Sequence, residues 1–154
     1  MSSPSAEKPY RKPLIALVHE ADRSFNLHMV EVTHAAGRPE IKPSHNAVVA
    51  HLPSSEPRRA ADLATRAGMT RQSMGELVRE LEGFGLVEMV PDPQDGRAKL
   101  VSWTEDGLAI ARIGKRHLAA IERRLEAEFG AEYESARRVL ERLTEVLDDI
   151  GPEA

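Results

Sequence analysis

Cysteine is absent from this chain of 154 residues. Without thiols there are no disulfides, no iron–sulfur ligands and no thiol-based redox sensing, and the composition fits a reducing compartment. Long apolar runs are also missing: the longest unbroken aliphatic stretch is Leu14 to Val18, far short of the roughly 20 residues that span a bilayer. The opening MSSPSAEKPYRKP has no apolar core of the kind a secretory signal carries. A cytoplasmic protein with no membrane partner is the expectation. No Ser/His/Asp order, glycine-rich phosphate loop or pair of carboxylates with a cleft of its own stands out, so neither an enzyme nor a cofactor site is expected.

A large excess of one charge is lacking too. The net charge is −4, with 6 acidic and 6 basic residues in 1–57, 7 of each in 58–102, and 12 acidic against 8 basic in 103–154. Overall acidity argues weakly against a nucleic-acid binder, yet a neutral middle segment can still present one basic face. The 6 histidines invite a metal site. His28, Glu31 and His34, spaced i, i+3, i+6 on one helix, drift around its axis by roughly 120° in total, so the three do not converge on one ion, and no metal is expected. His19 and Asp22 are placed for an ordinary i, i+3 pair.

What is present is helical periodicity. Leu14, Leu17, Val18, Ala21, Phe25, His28, Met29 and Val32 recur at three- and four-residue spacing and predict a helix over about 13–36, ended by Gly37 and Pro39. Pro43-Ser44 opens a shorter helix with Ala47, Val48 and Leu52 inward, stopped by the Pro53 to Pro57 stretch. A third helix is predicted at 58–67, with Leu63, Ala64 and Ala67 inside. AGMT is then a tight turn in which Gly68 takes a positive φ, and Thr70 caps the next helix, whose inner stripe is Met74, Leu77, Val78 and Leu81. Two short helices joined by such a turn form a helix-turn-helix.

Gly83 and Gly85 end the second of these helices. LVEMV and AKLVSW then alternate as two strands around the loop PDPQDGR. A helix-turn-helix followed by a hairpin is a winged helix, and the loop is its wing. Thr104, with Glu105 and Asp106 behind it, caps a long helix striped by Leu108, Ala111, Leu118, Ile121, Leu125 and Phe129. A last helix repeats the pattern at Ala136, Val139, Leu140, Leu143, Val146, Leu147 and Ile150. The fold class is mainly α with a small β-hairpin wing.

In order and spacing, Leu63-Ala64, Thr70-Arg71-Gln72, Leu81-Glu82, Gly85-Leu86-Val87, Asp92-Pro93-Gln94-Asp95-Gly96-Arg97 and Trp103-Thr104-Glu105-Asp106-Gly107 resemble the MarR (multiple antibiotic resistance regulator) family of winged helix-turn-helix transcription factors. The match is dense over 63–107. The Pro/Ser-rich start predicts a flexible tail at 1–12, and the resemblance implies a single MarR-like domain at 13–154, with the winged helix-turn-helix at 41–103 and dimerisation helices at 13–36 and 104–150. It also implies a homodimer on a pseudopalindromic operator in double-stranded DNA, usually a repressor released by a small-molecule effector. The family often has Ser and a basic residue where this chain has Gly75-Glu76, and Leu where it has Trp103.

With the Met74 stripe inward, a turn of about 100° per residue places Gln72, Glu76 and Arg79 on the opposite side, flanked by Ser73 and Gly75. That is the expected groove-facing set. Thr70 and Arg71 lie at the helix N-terminus, where free N–H groups favour phosphate. The acidic Glu76 weakens phosphate affinity but suits the N4 amino group of cytosine. Arg97, at the wing tip, is expected to enter a narrow minor groove, oriented by Asp95. The plainer readings are a solvated helix face and a surface arginine in a turn.

The first helix and the two long terminal helices carry more apolar stripe than a winged helix of about 60 residues covers, so a second chain is expected against Leu17, Leu125, Leu140, Leu143 and Leu147. The alternative is packing of these helices on each other within one chain. In this family the effector usually lies between the dimer helices and the winged helix, which makes Phe25, His28 and His45 the ligand candidates. A different class of function stays open: a winged-helix protein-interaction or assembly module without DNA binding.

Overall fold

The computed structural model describes residues 11–150. The elements in chain order are α1 (Leu14–Ala35), a 3₁₀ turn (Pro43–His45) running into α2 (Asn46–Val49), α3 (Ala60–Arg66), α4 (Arg71–Gly83), β1 (Val87–Asp92), β2 (Asp95–Trp103), α5 (Glu105–Phe129) and α6 (Ala131–Asp149). This is the mainly helical winged fold that the periodicity predicts. The chain divides into two compact units, one through Ala111 and one from Arg112 onward. No helix among the described residues is long and apolar enough to cross a membrane. The first ten residues of the expected tail at 1–12 lie outside the described residues.

In the first unit the helices α1, α3 and α4 close in the same way. The second residue after the cap reaches back to the carbonyl five positions earlier, through Arg38 N to Thr33 O at 3.1 Å, Met69 N to Ala64 O at 2.9 Å and Leu86 N to Leu81 O at 3.0 Å. This closure satisfies carbonyls that the helix end would otherwise leave open, and it needs a left-handed residue in between. Gly68, at φ +63°, fills that position between α3 and α4, where a side chain would be strained.

The core lies between α2, α3, α4 and the base of the hairpin. Leu63, Met74, Leu81, Leu86, Val48, Val87 and Val101 are fully buried. Of α1, only Val30 and Thr33 are buried. Its C-terminal half is tied to the following segment by Asn46 Nδ2 donating to Asn26 Oδ1 at 2.8 Å and by His34 Nε2 donating to the Ile41 carbonyl at 2.7 Å.

Three boundaries differ from the periodic reading. The second helix is only a 3₁₀ turn plus one α turn, and Leu52 is buried beyond its end. There the Leu52 carbonyl accepts the indole N–H of Trp103 at 3.2 Å, so the chain leaves the helix to meet the wing. The third helix starts at Ala60 rather than 58, because Arg58 is extended and pairs with Val101 on β2 through Arg58 N to Val101 O at 2.9 Å and Val101 N to Arg58 O at 2.7 Å. The hairpin is longer than predicted. Its pairing runs from Val87 with Trp103 out to Asp92 with Asp95, past an irregularity at Pro91/Asp92, and leaves Pro93-Gln94 as the turn.

At the junction of β2 with α5, Thr104 gathers several hydrogen bonds. Its hydroxyl donates to the Gly85 carbonyl at 2.6 Å and accepts from Gly107 N at 3.0 Å, while its own N–H donates to Leu86 O at 3.2 Å. Gly107 is forced by this closeness. A Cβ there would lie 1.8 Å from Leu86 O and 2.8 Å from Cε3 of Trp103.

In the second unit, no residue of α6 is buried. Arg137 links the two helix segments through Glu122 at 3.8 Å and also pairs with Glu141 at 3.4 Å.

Candidate nucleic-acid interface

Helix α4 is set by its cap and its apolar stripe. Thr70 Oγ1 accepts from Ser73 N at 3.1 Å and donates to Ser73 Oγ at 2.9 Å, which satisfies one free amide of the first turn. Met74, Leu77, Val78 and Leu81 are buried. On the other side Arg71, Gln72, Glu76 and Arg79 are exposed, with Ser73 and Gly75 half-buried. Gln72 Nε2 donates to Glu76 Oε1 at 3.2 Å. Arg79 Nη1 lies 3.8 Å from where a Cβ on Gly75 would stand.

A flank of α4 is anchored through Glu80. Its Oε2 meets Lys42 Nζ at 2.8 Å and His45 Nε2 at 2.7 Å. These two donors, Lys42 foremost, hold the Glu80 carboxyl below the usual range. The Lys42 backbone N–H donates to His45 Nδ1 at 3.0 Å, so the ring proton resides on Nε2 and points at Glu80.

The wing is held by a second carboxylate. Asp92 is 7% exposed. Its Oδ1 accepts from Gln94 N at 2.9 Å, and its Oδ2 accepts from Arg59 Nε at 3.0 Å and Nη2 at 2.6 Å. Arg59 precedes α3, so this fork ties the hairpin turn to the helix-turn-helix. The Gln94 amide first, then the Arg59 guanidinium, hold the Asp92 carboxyl below its ordinary value. Arg97 is exposed. Among the described residues its guanidinium pairs with no carboxylate.

Against this geometry the chain can be compared with known proteins. Residues 41–98 match the sequence profile of the MarR family. That segment, the helix-turn-helix and most of the wing, is where the chain is similar to the MarR family in sequence. Solved structures extend the likeness of fold over most of the chain. A MarR family transcription regulator is 19% identical with a TM-score of 0.75, covering 92% of this chain and 89% of its own. The transcriptional repressor CouR bound to a 23-mer DNA duplex is 22% identical with a TM-score of 0.67, covering 88% and 92%. A Mycobacterium tuberculosis MarR family protein in complex with salicylic acid is 24% identical with a TM-score of 0.61, covering 86% and 97%. At these identities the likeness is one of fold. No curated protein matches the chain in sequence.

Within residues 41–98, two expectations differ from what the structure shows. Arg97 is not in a loop but is the third residue of β2, and Asp95 does not hold its guanidinium: Asp95 Oδ1 accepts the Arg97 backbone N–H at 3.1 Å, fixing the turn instead. His45 is fully buried, edge-on to Phe84 with ring centroids 5.7 Å apart, and both of its nitrogens are engaged. In this structure it is a core residue whose ring is spent on Lys42 and Glu80. Phe25 and His28 lie on exposed parts of α1, His28 within 3.7 Å of Glu31. Leu17, Leu140 and Leu147 are about half exposed, at 48%, 53% and 55%, while Leu125 and Leu143 are half-buried.

The anchoring roles of Arg59, Asp92 and Glu80 escape the sequence reading, although Asp92 stands in the wing motif. Asp92 and Arg59 are 33 residues apart and His45 and Glu80 are 35 apart, and nothing local marks either pair.

A pH dependence follows from Asp92. A carboxyl depressed by folding contributes stability that is present above its unfolded value, about 4, and that is lost as pH falls toward the folded value. Unfolding free energy measured from pH 6 down to pH 3 is expected to fall, and Asp92→Asn is expected to flatten part of that slope while lowering stability at neutral pH. Identical slopes for both proteins would remove Asp92 from the account. Glu80 has the same sign, so some slope survives in the variant.

Proposed function

We propose that the chain is a cytoplasmic DNA-binding transcriptional regulator that acts as a homodimer. It represses from a pseudopalindromic operator and is released by a small-molecule effector. The observation that carries the reading is the split face of α4: its apolar stripe is fully used in the core, while Arg71, Gln72, Glu76 and Arg79 stand exposed on a helix of the MarR segment. A second helix of a helix-turn-helix lies in the major groove in proteins of this design. The DNA duplex on CouR supports the same mode. In this reading Thr70, Arg71 and Ser73 meet phosphates at the helix start, Gly75 permits close approach, and Arg97 reaches the minor groove from β2 with its backbone fixed by Asp95.

The test is a gel shift with the DNA upstream of its own coding sequence over a salt series. Binding that weakens linearly in log salt is expected, with a slope of about −0.9 per phosphate contact. Failure to bind at any salt would leave the winged helix as a protein-contact module. Arg97→Ala is expected to weaken operator binding by about 1–3 kcal/mol, roughly 5- to 150-fold, with an unchanged melting temperature, since the side chain is exposed in the free protein. A lowered melting temperature with unchanged binding would reverse that assignment.

The effector is proposed to be a small aromatic or anionic molecule near Phe25 and His28, in keeping with the salicylic acid held by the mycobacterial relative. It releases DNA only by preferring one arrangement of the dimer over another. Thermal shift with phenolic acids, followed by gel shift on the hits, checks this, and ligands that stabilise the protein without altering DNA binding would count against it.

A further inference from the structure

A carboxylate on a face that meets DNA is repelled by the phosphates unless a base returns a hydrogen bond. Glu76 sits on the exposed face of α4, in its second turn, and its one hydrogen bond is from Gln72 Nε2 at 3.2 Å. Among the described residues it pairs with no cation, whereas Glu80, one turn further on, is taken up by Lys42 and His45. The Gln72 contact uses one amide hydrogen and one lone pair. It leaves the Gln72 carbonyl oxygen and the other carboxylate oxygen without a side-chain partner among the described residues, on an exposed face where one amide hydrogen of Gln72 is also left over. Next to them Gly75 presents no side chain, and a Cβ there would touch only Arg79 Nη1, so backbone bulk does not keep this turn from the groove floor.

The major-groove edges rank clearly against such an acceptor-rich patch. Guanine offers N7 and O6, both acceptors, and thymine offers O4 and a methyl group, so neither can donate. Adenine donates from N6 but places the N7 acceptor beside it, where it repels a carboxylate. Cytosine donates from N4 and has no acceptor of its own on that edge, so on the side away from the paired guanine O6 its amino group is flanked only by C5–H and is open to a carboxylate. Resting on the DNA-binding reading above, we propose that Glu76, oriented by Gln72, is a specificity-determining residue that selects a cytosine in each operator half-site.

Selection of bound duplexes from a random pool by the full-length chain tests this, run in parallel with Glu76→Gln and Glu76→Ala. Both variants keep the buried stripe of α4 and are expected to fold as the wild type does. The wild type is expected to enrich a two-fold symmetric site with one cytosine per half-site that no other base replaces without about a tenfold or greater loss. In Glu76→Gln and Glu76→Ala that preference collapses to within a fewfold, while binding to unrelated duplex strengthens because a negative charge has gone. Wild type and variants enriching sites with the same cytosine preference would overturn the inference and leave the DNA-binding reading standing. A wild type that enriches no sequence would overturn both.

Discussion

If the proposed dimer forms through α6, the double variant Leu143→Glu/Leu147→Glu is expected to sediment as a monomer at concentrations where the wild type sediments as a dimer. Helix α6 presents an apolar stripe with no buried residue in the single chain, and Val139, Leu140, Val146, Leu147 and Ile150 are each 46–61% exposed. Exposed apolar surface of this extent on consecutive turns is the mark of an interface. Residues 143 and 147 are i and i+4, so both new carboxylates enter the same apolar strip, with Arg138 and Arg142 at its border. An unpaired charge taken out of water costs about 3 kcal/mol or more per site. Even two of the four such sites in a two-fold dimer raise the dissociation constant by about 10⁴. On the proposed function, operator affinity falls with it, since two half-sites are then no longer held by one particle. Circular dichroism should show the winged-helix unit still folded. A well-folded dimer of unchanged mass would place the interface on other residues.

Gly107→Ala is expected to destabilise the chain strongly for a single added methyl group. The added Cβ would stand 1.8 Å from the Leu86 carbonyl oxygen and 2.8 Å from its carbon. Both are backbone atoms, and that oxygen already accepts the Thr104 N–H. Overpacking usually costs about 1–3 kcal/mol. With no flexible side chain to yield, about 3 kcal/mol is expected, which lowers the melting temperature by roughly 6–12 °C. Gly75→Ala is the internal control: its Cβ meets only a movable guanidinium at 3.8 Å, and α4 should gain up to about 1 kcal/mol from alanine's better helix propensity. Urea unfolding of both proteins checks the contrast, and an unchanged midpoint for Gly107→Ala would mean that the start of α5 is free to shift.

These cases show which parts of the chain are written locally. Thr70 with the Met74, Leu77, Val78 and Leu81 stripe announces α4, because capping and the 3.6-residue period act within a few residues. Thr104 before two acids announces α5 for the same reason. The exposed set on α4 follows from the stripe by geometry alone. The outer half of the hairpin does not, since Asp92 to Arg97 are polar and exposed apart from Asp92 itself, and two prolines there break the alternation that would mark a strand. The short second helix is hidden because Leu52 keeps helical spacing while its backbone has already left the helix to accept Trp103. His45 looks like any polar residue in a turn. Only the fold brings Glu80 to it, and only the fold brings Arg59 to Asp92, so the residues that hold the surface in place are less visible in the sequence than those displayed on it.

Trp103 is the single tryptophan of the chain. It is 8% exposed, with its indole N–H on the Leu52 carbonyl. Intrinsic fluorescence excited at the red edge of protein absorption therefore comes from one place, where β2 leaves the wing and the end of α2 meets it. Emission from the native chain should be blue-shifted and poorly quenched by iodide or acrylamide. A red shift or a rise in quenching, whether on adding DNA, an effector or acid, locates an opening of that joint without any label, and silence there while other signals change locates the motion elsewhere.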